Sequence, residues 1–150
     1  MNAFVNSHSD VKIIFKHYPL DGTCNPEPEM KGTGDGISCE AAFATHCSEK
    51  LFNKGWQTHK TLFENQETLR TFNTKEQVSD FICKETQSDC ALLKACIGSP
   101  ETRSDIQTMA TEGMNAGVHG TPSVFINNRQ LMYGQFLPVL EKAYETLKAQ

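Results

Sequence analysis

The sequence predicts an α/β chain, and three observations carry that reading. The run "VKIIF", Val11 to Phe15, is apolar and mostly β-branched, the composition of a buried parallel strand. From Ser38 the pattern turns helical and stays so for roughly eighty residues. The last third then changes character, with two short strand patterns around Asn127-Asn128 and an amphipathic stretch at the end. The predicted order is strand, helical block, Gly-Thr-Pro loop, hairpin, helix.

Each element has its own signal. "NAFVNSH", ahead of the first strand, has room only for the tail of a helix. Behind the strand, "KHYPLDGTCNPEPEMKGTGDGIS" carries three prolines and four glycines without periodicity, so it reads as a long loop. Such a loop normally needs a tether, and Cys24 and Cys39 flank it. Ser38 is placed as the N-cap of the first long helix, in which Cys39, Phe43, Cys47 and Leu51 recur at a spacing of four. A second helix begins near Trp56, with His59 and Phe63 on one face. Thr74 and Gln77 have the spacing of a capping box before Val78, Phe81 and Ile82, and Ser88 or Asp89 can cap a short helix holding Leu92, Leu93, Cys96 and Ile97. "GSPETRSDIQ" puts Ser99 at the cap, Pro100 at the first helical position and Glu101 in the first turn. The helix it opens presents Ile106, Met109, Ala110 and Gly113, and Gly117 can take the left-handed cap. Asn127-Asn128 suits the positive φ angles of a type I′ turn. In "LPVLEKAYETLKAQ", Leu140, Ala143, Tyr144 and Leu147 form one stripe.

Composition bounds the function. One hundred and fifty residues with 38% hydrophobic content suffice for a single domain over residues 1–150. The formal net charge of -4, without a block of like charges, gives no footprint for nucleic acid or an anionic membrane. No apolar run reaches the length of a membrane span, and "MNAFVNSHSD" lacks the basic and apolar regions of a signal peptide. Six cysteines in such a chain favour disulfides and an oxidising compartment. None is paired at C-x-x-C spacing, which removes the common zinc half-site and the dithiol redox motif.

The cysteines leave alternatives open. Cys47 and Cys96 lie on apolar faces of different helices, where they either staple the helical block or remain buried thiols. Cys83 and Cys90 sit about 10 Å apart on a continuous helix, so a bridge between them needs a break near Gln87 and Ser88. His17, His46 and His59 fit no standard metal-ligand spacing and read as surface or core histidines; no metal and no cofactor is expected.

"FKHYPLDGTCN", "CEAAFATHC", "LFENQ", "CIGSPETR" and "GVHGTPSVFINNRQLMYG" together resemble the DsbA-like branch of the thioredoxin superfamily, modules of which also occur fused to bacterial homologues of vitamin K epoxide reductase. The likeness runs from about Val11 to the C-terminus and is strongest in "GTPSVFINN". It implies a thioredoxin-like α/β fold with a helical insertion at about residues 38–117, followed by the proline loop, hairpin and terminal helix at about 118–150. It also implies a cis-Pro122 preceded by Thr121, beside a redox-active C-x-x-C at the start of the family's first helix. Gly120, Thr121 and Pro122, with His119 alongside, become the expected substrate-docking residues; His119 is otherwise a plain loop histidine. Relative to that family the chain starts partway along the first helix, so it is expected to be N-terminally truncated and to lack the nucleophile. Cys39, the one cysteine near a predicted helix start, is then either a substitute nucleophile or a structural partner of Cys24.

Two functions follow as expectations. One is a thiol-disulfide oxidoreductase domain acting on protein thiols or disulfides in an extracytoplasmic, periplasmic or membrane-tethered setting, with a membrane quinone-linked redox partner, but inactive in this chain for want of the C-x-x-C. The other is a non-catalytic peptide-binding or scaffold module. The resemblance also implies that a strand is missing between Val11–Phe15 and Ser123–Asn127. Those two strands are expected to pair directly or to exchange strands in a homodimer.

Overall fold

A computed structural model describes Phe4 and residues 7–149, which divide into two compact units, residues 16–117 and residues 1–15 with 118–150. Helices with one small sheet make this an α/β chain.

The unit of residues 16–117 is helical. α1 (Ile37–Phe52) is its hub, packing against α2 (Gly55–Glu64), α4 (Glu76–Thr86), α5 (Cys90–Ile97) and α6 (Pro100–Asn115), while the short α3 (Gln66–Leu69) follows α2. Ala44 and Cys47 of α1, Val78 and Ile82 of α4, Leu93 of α5 and Ile106 of α6 are fully buried at the centre. Each large aliphatic side chain buried this way stabilises the fold by about 1.5–3 kcal/mol.

The helix ends show how the sequence stops and restarts the chain. α1 begins one residue before Ser38. Gly36 takes a left-handed φ of 87°, and the Asp35 side chain accepts from the Ile37 N–H at 3.0 Å, so Ser38 lies inside the first turn instead of capping it. Asp89 and Ser99 cap α5 and α6 by accepting from Leu92 and Thr102 N–H groups. Gln77 closes half of the expected capping box, accepting from the Thr74 N–H, while Thr74 returns no side-chain bond to the helix. Gln87 at φ 50° breaks the chain between α4 and α5, and Gly117 at φ 78° follows α6. The spacing of four that placed Leu51 with Cys39, Phe43 and Cys47 fails at its end: Leu51 is exposed, and Ser48 and Phe52 take the packed positions around it. Phe63 and Leu92 are exposed as well, each lying beside the buried position of its helix, Leu62 and Leu93.

Three disulfides staple this unit: Cys24–Cys39, Cys47–Cys96 and Cys83–Cys90. They leave no free cysteine among the described residues. With sequence separations of 15, 49 and 7, they restrict the unfolded chain very differently. The chain-entropy model gives about 3, 4 and 2 kcal/mol respectively.

The long loop before α1 is organised by a buried aspartate. Asp21 is 1% exposed; its Oδ1 accepts from the Thr23 N–H (2.9 Å) and hydroxyl (2.7 Å), and its Oδ2 from the Gly36 N–H (3.0 Å). Gly34 must be glycine here, since a Cβ would stand 2.3 Å from Asp21 Oδ1 and its φ is 85°. Asp21→Asn puts an amide N–H against one of those donors and is expected to lower stability by about 2 kcal/mol, read as a lower urea midpoint. An unchanged midpoint would show that the loop is held by the disulfide alone.

In the other unit, β1 (Phe125–Ile126) and β2 (Arg129–Gln130) form an antiparallel hairpin pairing Phe125 with Gln130 and Ile126 with Arg129. Asn127 and Asn128 sit at φ 49° and 64°, the geometry that lets a two-residue turn match strand twist. α7 (Leu137–Lys148) buries Leu140, while Leu147, on the expected stripe, is exposed. Phe4 and Ser7 are helical. The N-terminal residues clasp α7: the Tyr144 hydroxyl donates to Asp10 at 2.8 Å, His8 Nε2 meets Glu141 Oε2 at 2.7 Å, and the Phe4 and His8 rings pack on Tyr144.

The expected strand Val11–Phe15 does not form, and its direct pairing with residues 123–127 is likewise not made. A β-branched run becomes a strand only when a neighbouring edge takes up its backbone groups. Among the described residues, β1 pairs with β2 alone. Ile14 and Phe15 are left exposed.

Candidate functional site

The expected docking residues lie together on the chain that leads from Val118 into β1. Val118 is buried and anchors the segment, whereas His119, Thr121 and Pro122 are exposed and Gly120 is half-buried. The Thr121–Pro122 bond is cis. The Ser123 hydroxyl donates to the Gly120 carbonyl at 2.8 Å across the corner, and the Leu131 N–H donates to the Val124 carbonyl at 2.8 Å, extending the hairpin ladder towards it. Among the described residues no backbone hydrogen bond reaches Thr121. This corner presents a bent, largely exposed segment next to a two-stranded hairpin.

Cys39 is elsewhere in function. It is 2% exposed and bonded to Cys24, with the Thr23 hydroxyl 3.1 Å from its sulfur. A buried sulfur in a closed disulfide is not a nucleophile, so Cys39 acts here as a tether of the Asp21 loop.

The histidines meet in a way their spacing concealed. The His17 and His46 rings lie 6.2 Å apart, and His46 Nε2 is 3.1 Å from Asp105 Oδ2. Burial, with further lowering by His46 and His59 nearby, takes the pKa of His17 down to about 4. His59 is pushed down by burial as well. Among the described residues no group of three His, Cys, Asp or Glu side chains has a metal-binding arrangement. On α1, Glu40 is buried, accepts from the Ser79 hydroxyl at 2.9 Å, and is raised by its burial. An open cavity of about 350 Å³ beside the start of α1, lined by Ile37, Ala41, Leu69, Phe72 and Val78 with Asp35 and Arg70, gathers none of the expected site residues.

Sequence reasoning overlooked Asp21 and the meeting of the histidines. "DGT" at residues 21–23 was the available signal for the first, since Asp before Gly commonly bonds the backbone two residues on. The second had none, because residues 17, 46, 59 and 105 lie on the long loop and three separate helices and converge only in the folded chain.

A family model described as thioredoxin matches residues 3–143. The chain belongs to the thioredoxin family. The match spans the Asp21 loop, the helical unit, the proline corner, the hairpin and most of α7. No curated protein and no solved structure gives a significant match. Membership suggests thiol-disulfide exchange as the family's chemistry, and the three disulfides agree with an oxidising setting. No described helix is long and apolar enough to cross a membrane.

Proposed function

We propose that this chain is a DsbA-like thiol-disulfide oxidoreductase domain that docks an extended polypeptide on residues 119–122 outside the cytoplasm and that, lacking a C-x-x-C, does not itself turn over protein thiols or disulfides. The observation that carries this reading is a thioredoxin-family match that includes the Gly120-Thr121-Pro122 corner, exposed at Thr121 and Pro122, running into a hairpin. The Thr121 backbone would pair with a substrate as a neighbouring strand does, holding a substrate sulfur in place for exchange. His119, exposed two residues earlier, would lie close to the docked chain.

Exchange itself needs an accessible thiolate and a second thiol that resolves the mixed disulfide. The 150 residues contain no C-x-x-C, and all six cysteines are committed to disulfides. These same facts favour a second reading, a peptide-binding module without turnover. Both readings expect little catalysis from this chain alone. In an insulin-reduction assay with dithiothreitol at neutral pH, the rate should stay within about twofold of the reductant alone. Turnover well above that, abolished by Cys39→Ser, would overturn the assignment of Cys39 as structural. The readings separate when a C-x-x-C partner domain is supplied: a docking domain that serves exchange raises that partner's rate on a polypeptide substrate, and a mere scaffold does not.

A further inference from the structure

The three disulfides are not equivalent. Cys24 and Cys39 are both 2% exposed, and Cys47 is fully buried, whereas the Cys83–Cys90 bond joins Cys83, buried at 8% exposure, to a partly exposed Cys90 at the corner between α4 and α5. That bond also closes the shortest loop, with a sequence separation of 7, so opening it releases the least chain entropy. The corner it spans is held by other contacts. The Ser88 N–H donates to the Cys83 carbonyl at 3.2 Å, the Thr86 and Ser88 hydroxyls meet at 2.8 Å, and Lys54 Nζ donates to the Thr86 carbonyl at 2.8 Å. Lys94 of α5 pairs with Asp80 of α4 at 2.5 Å. Ile82 and Leu93, one on each helix, are fully buried beside it. The Cys83–Cys90 bond is therefore accessible, entropically cheap to open and locally redundant. Cys47–Cys96 also includes a partly exposed residue, Cys96, but Cys47 is 0% exposed and the bond ties α1 to α5 across 49 residues.

We propose that Cys83–Cys90 is a redox-labile disulfide whose Cys90 sulfur accepts a small thiol such as glutathione, while the other two disulfides stay closed. The thiolate of the incoming thiol attacks Cys90 Sγ. A mixed disulfide forms at Cys90, the Cys83–Cys90 bond breaks, and Cys83 leaves as a thiolate that takes up the proton released by the incoming thiol. A second small thiol then attacks the mixed disulfide, releasing the oxidised small disulfide and Cys90 thiolate. Two small thiols are oxidised and the protein disulfide is reduced. Cys90 is the first residue of α5, so the thiolate freed in this second step faces the positive end of the helix. This inference is independent of polypeptide docking at residues 119–122.

Its test uses the oxidised, folded chain in native buffer with millimolar glutathione. Free thiols are alkylated at intervals, and each cysteine is followed by peptide mass spectrometry. Label at Cys83, with label or a glutathione adduct at Cys90, should appear at least tenfold faster than at the other four cysteines, while far-ultraviolet circular dichroism stays unchanged. Labelling of Cys47 with Cys96, or of Cys24 with Cys39, at an equal or greater rate would overturn the proposal. So would joint labelling of all six as the helical signal is lost. A Cys83→Ser variant gives a second measurement: its Cys90 should take up glutathione from the oxidised small disulfide in the folded state, and failure to do so contradicts the proposed attack site.

Discussion

Replacing Cys47 and Cys96 together by serine is expected to lower the free energy of unfolding by about 4 kcal/mol, against about 2 kcal/mol for the same replacement of Cys83 and Cys90. Cys47 of α1 and Cys96 of α5 close the longest loop among the three disulfides, and α1 is the helix on which the rest of this unit packs. Serine suits the comparison because the Thr102 hydroxyl lies 3.4 and 3.5 Å from the two sulfurs and can pair with the new hydroxyls. A loss of this size is a large share of the roughly 5–15 kcal/mol that holds a domain folded. Urea unfolding of both double variants under oxidising conditions decides it. Equal losses, or a larger loss at Cys83 and Cys90, would mean that the staple between α1 and α5 is not the main covalent support of the helical unit.

A second large effect is expected with pH. His17 is buried and its pKa lies near 4 in the folded chain, against 6.5 for a free histidine. Between those values the unfolded chain takes up a proton that the folded chain refuses, so acid favours unfolding. The stability contributed by neutral His17 is complete above pH 6.5 and is lost as the pH falls to about 4. A shift of this size corresponds to about 3 kcal/mol. Burial is the main cause of the sign, the nearby His46 and His59 rings add to it, and Asp105 is already engaged by His46. His59 adds to the trend, and buried Glu40, raised by its surroundings, opposes it in the acid range. Comparison with His17→Phe isolates the one residue. Urea midpoints measured from pH 7 to pH 4 should fall more steeply for the parent chain than for the variant. Parallel curves would contradict the assignment.

Much of the helical unit was legible because its signals are local. Asp89, Ser99 and Gly117 end or begin helices through bonds to residues within a few positions. The break at Gln87 follows from the demand that Cys83 and Cys90 meet. Asn127-Asn128 carries the whole instruction for its turn. Cys24 and Cys39 could be paired on paper because a long glycine- and proline-rich loop lies between them. What failed depended on distant partners. "VKIIF" has strand composition, yet no described edge lies beside it to make it a strand. Ser38 lost the cap position to Gly36, which adopts φ 87°, a freedom that composition does not reveal. Leu51, Phe63 and Leu92 satisfy helical spacing but are exposed, the buried positions of their helices lying at Ser48, Leu62 and Leu93. The proline corner was the most legible part of the candidate site, since Gly120, Thr121 and Pro122 are consecutive. The cluster at His17 was the least.

The docking of an extended polypeptide at the proline corner is the claim on which the functional account rests. Titrating the isotope-labelled, oxidised chain with an unfolded, cysteine-blocked peptide and following its backbone amide signals tests that claim most directly, because binding is then seen without any redox step. Shifts should concentrate at His119 to Ile126, with the Thr121 amide among those most affected, and a peptide of N-methylated backbone should produce none of them. Shifts confined to the helical unit, or a spectrum left unchanged at millimolar peptide, would contradict the account.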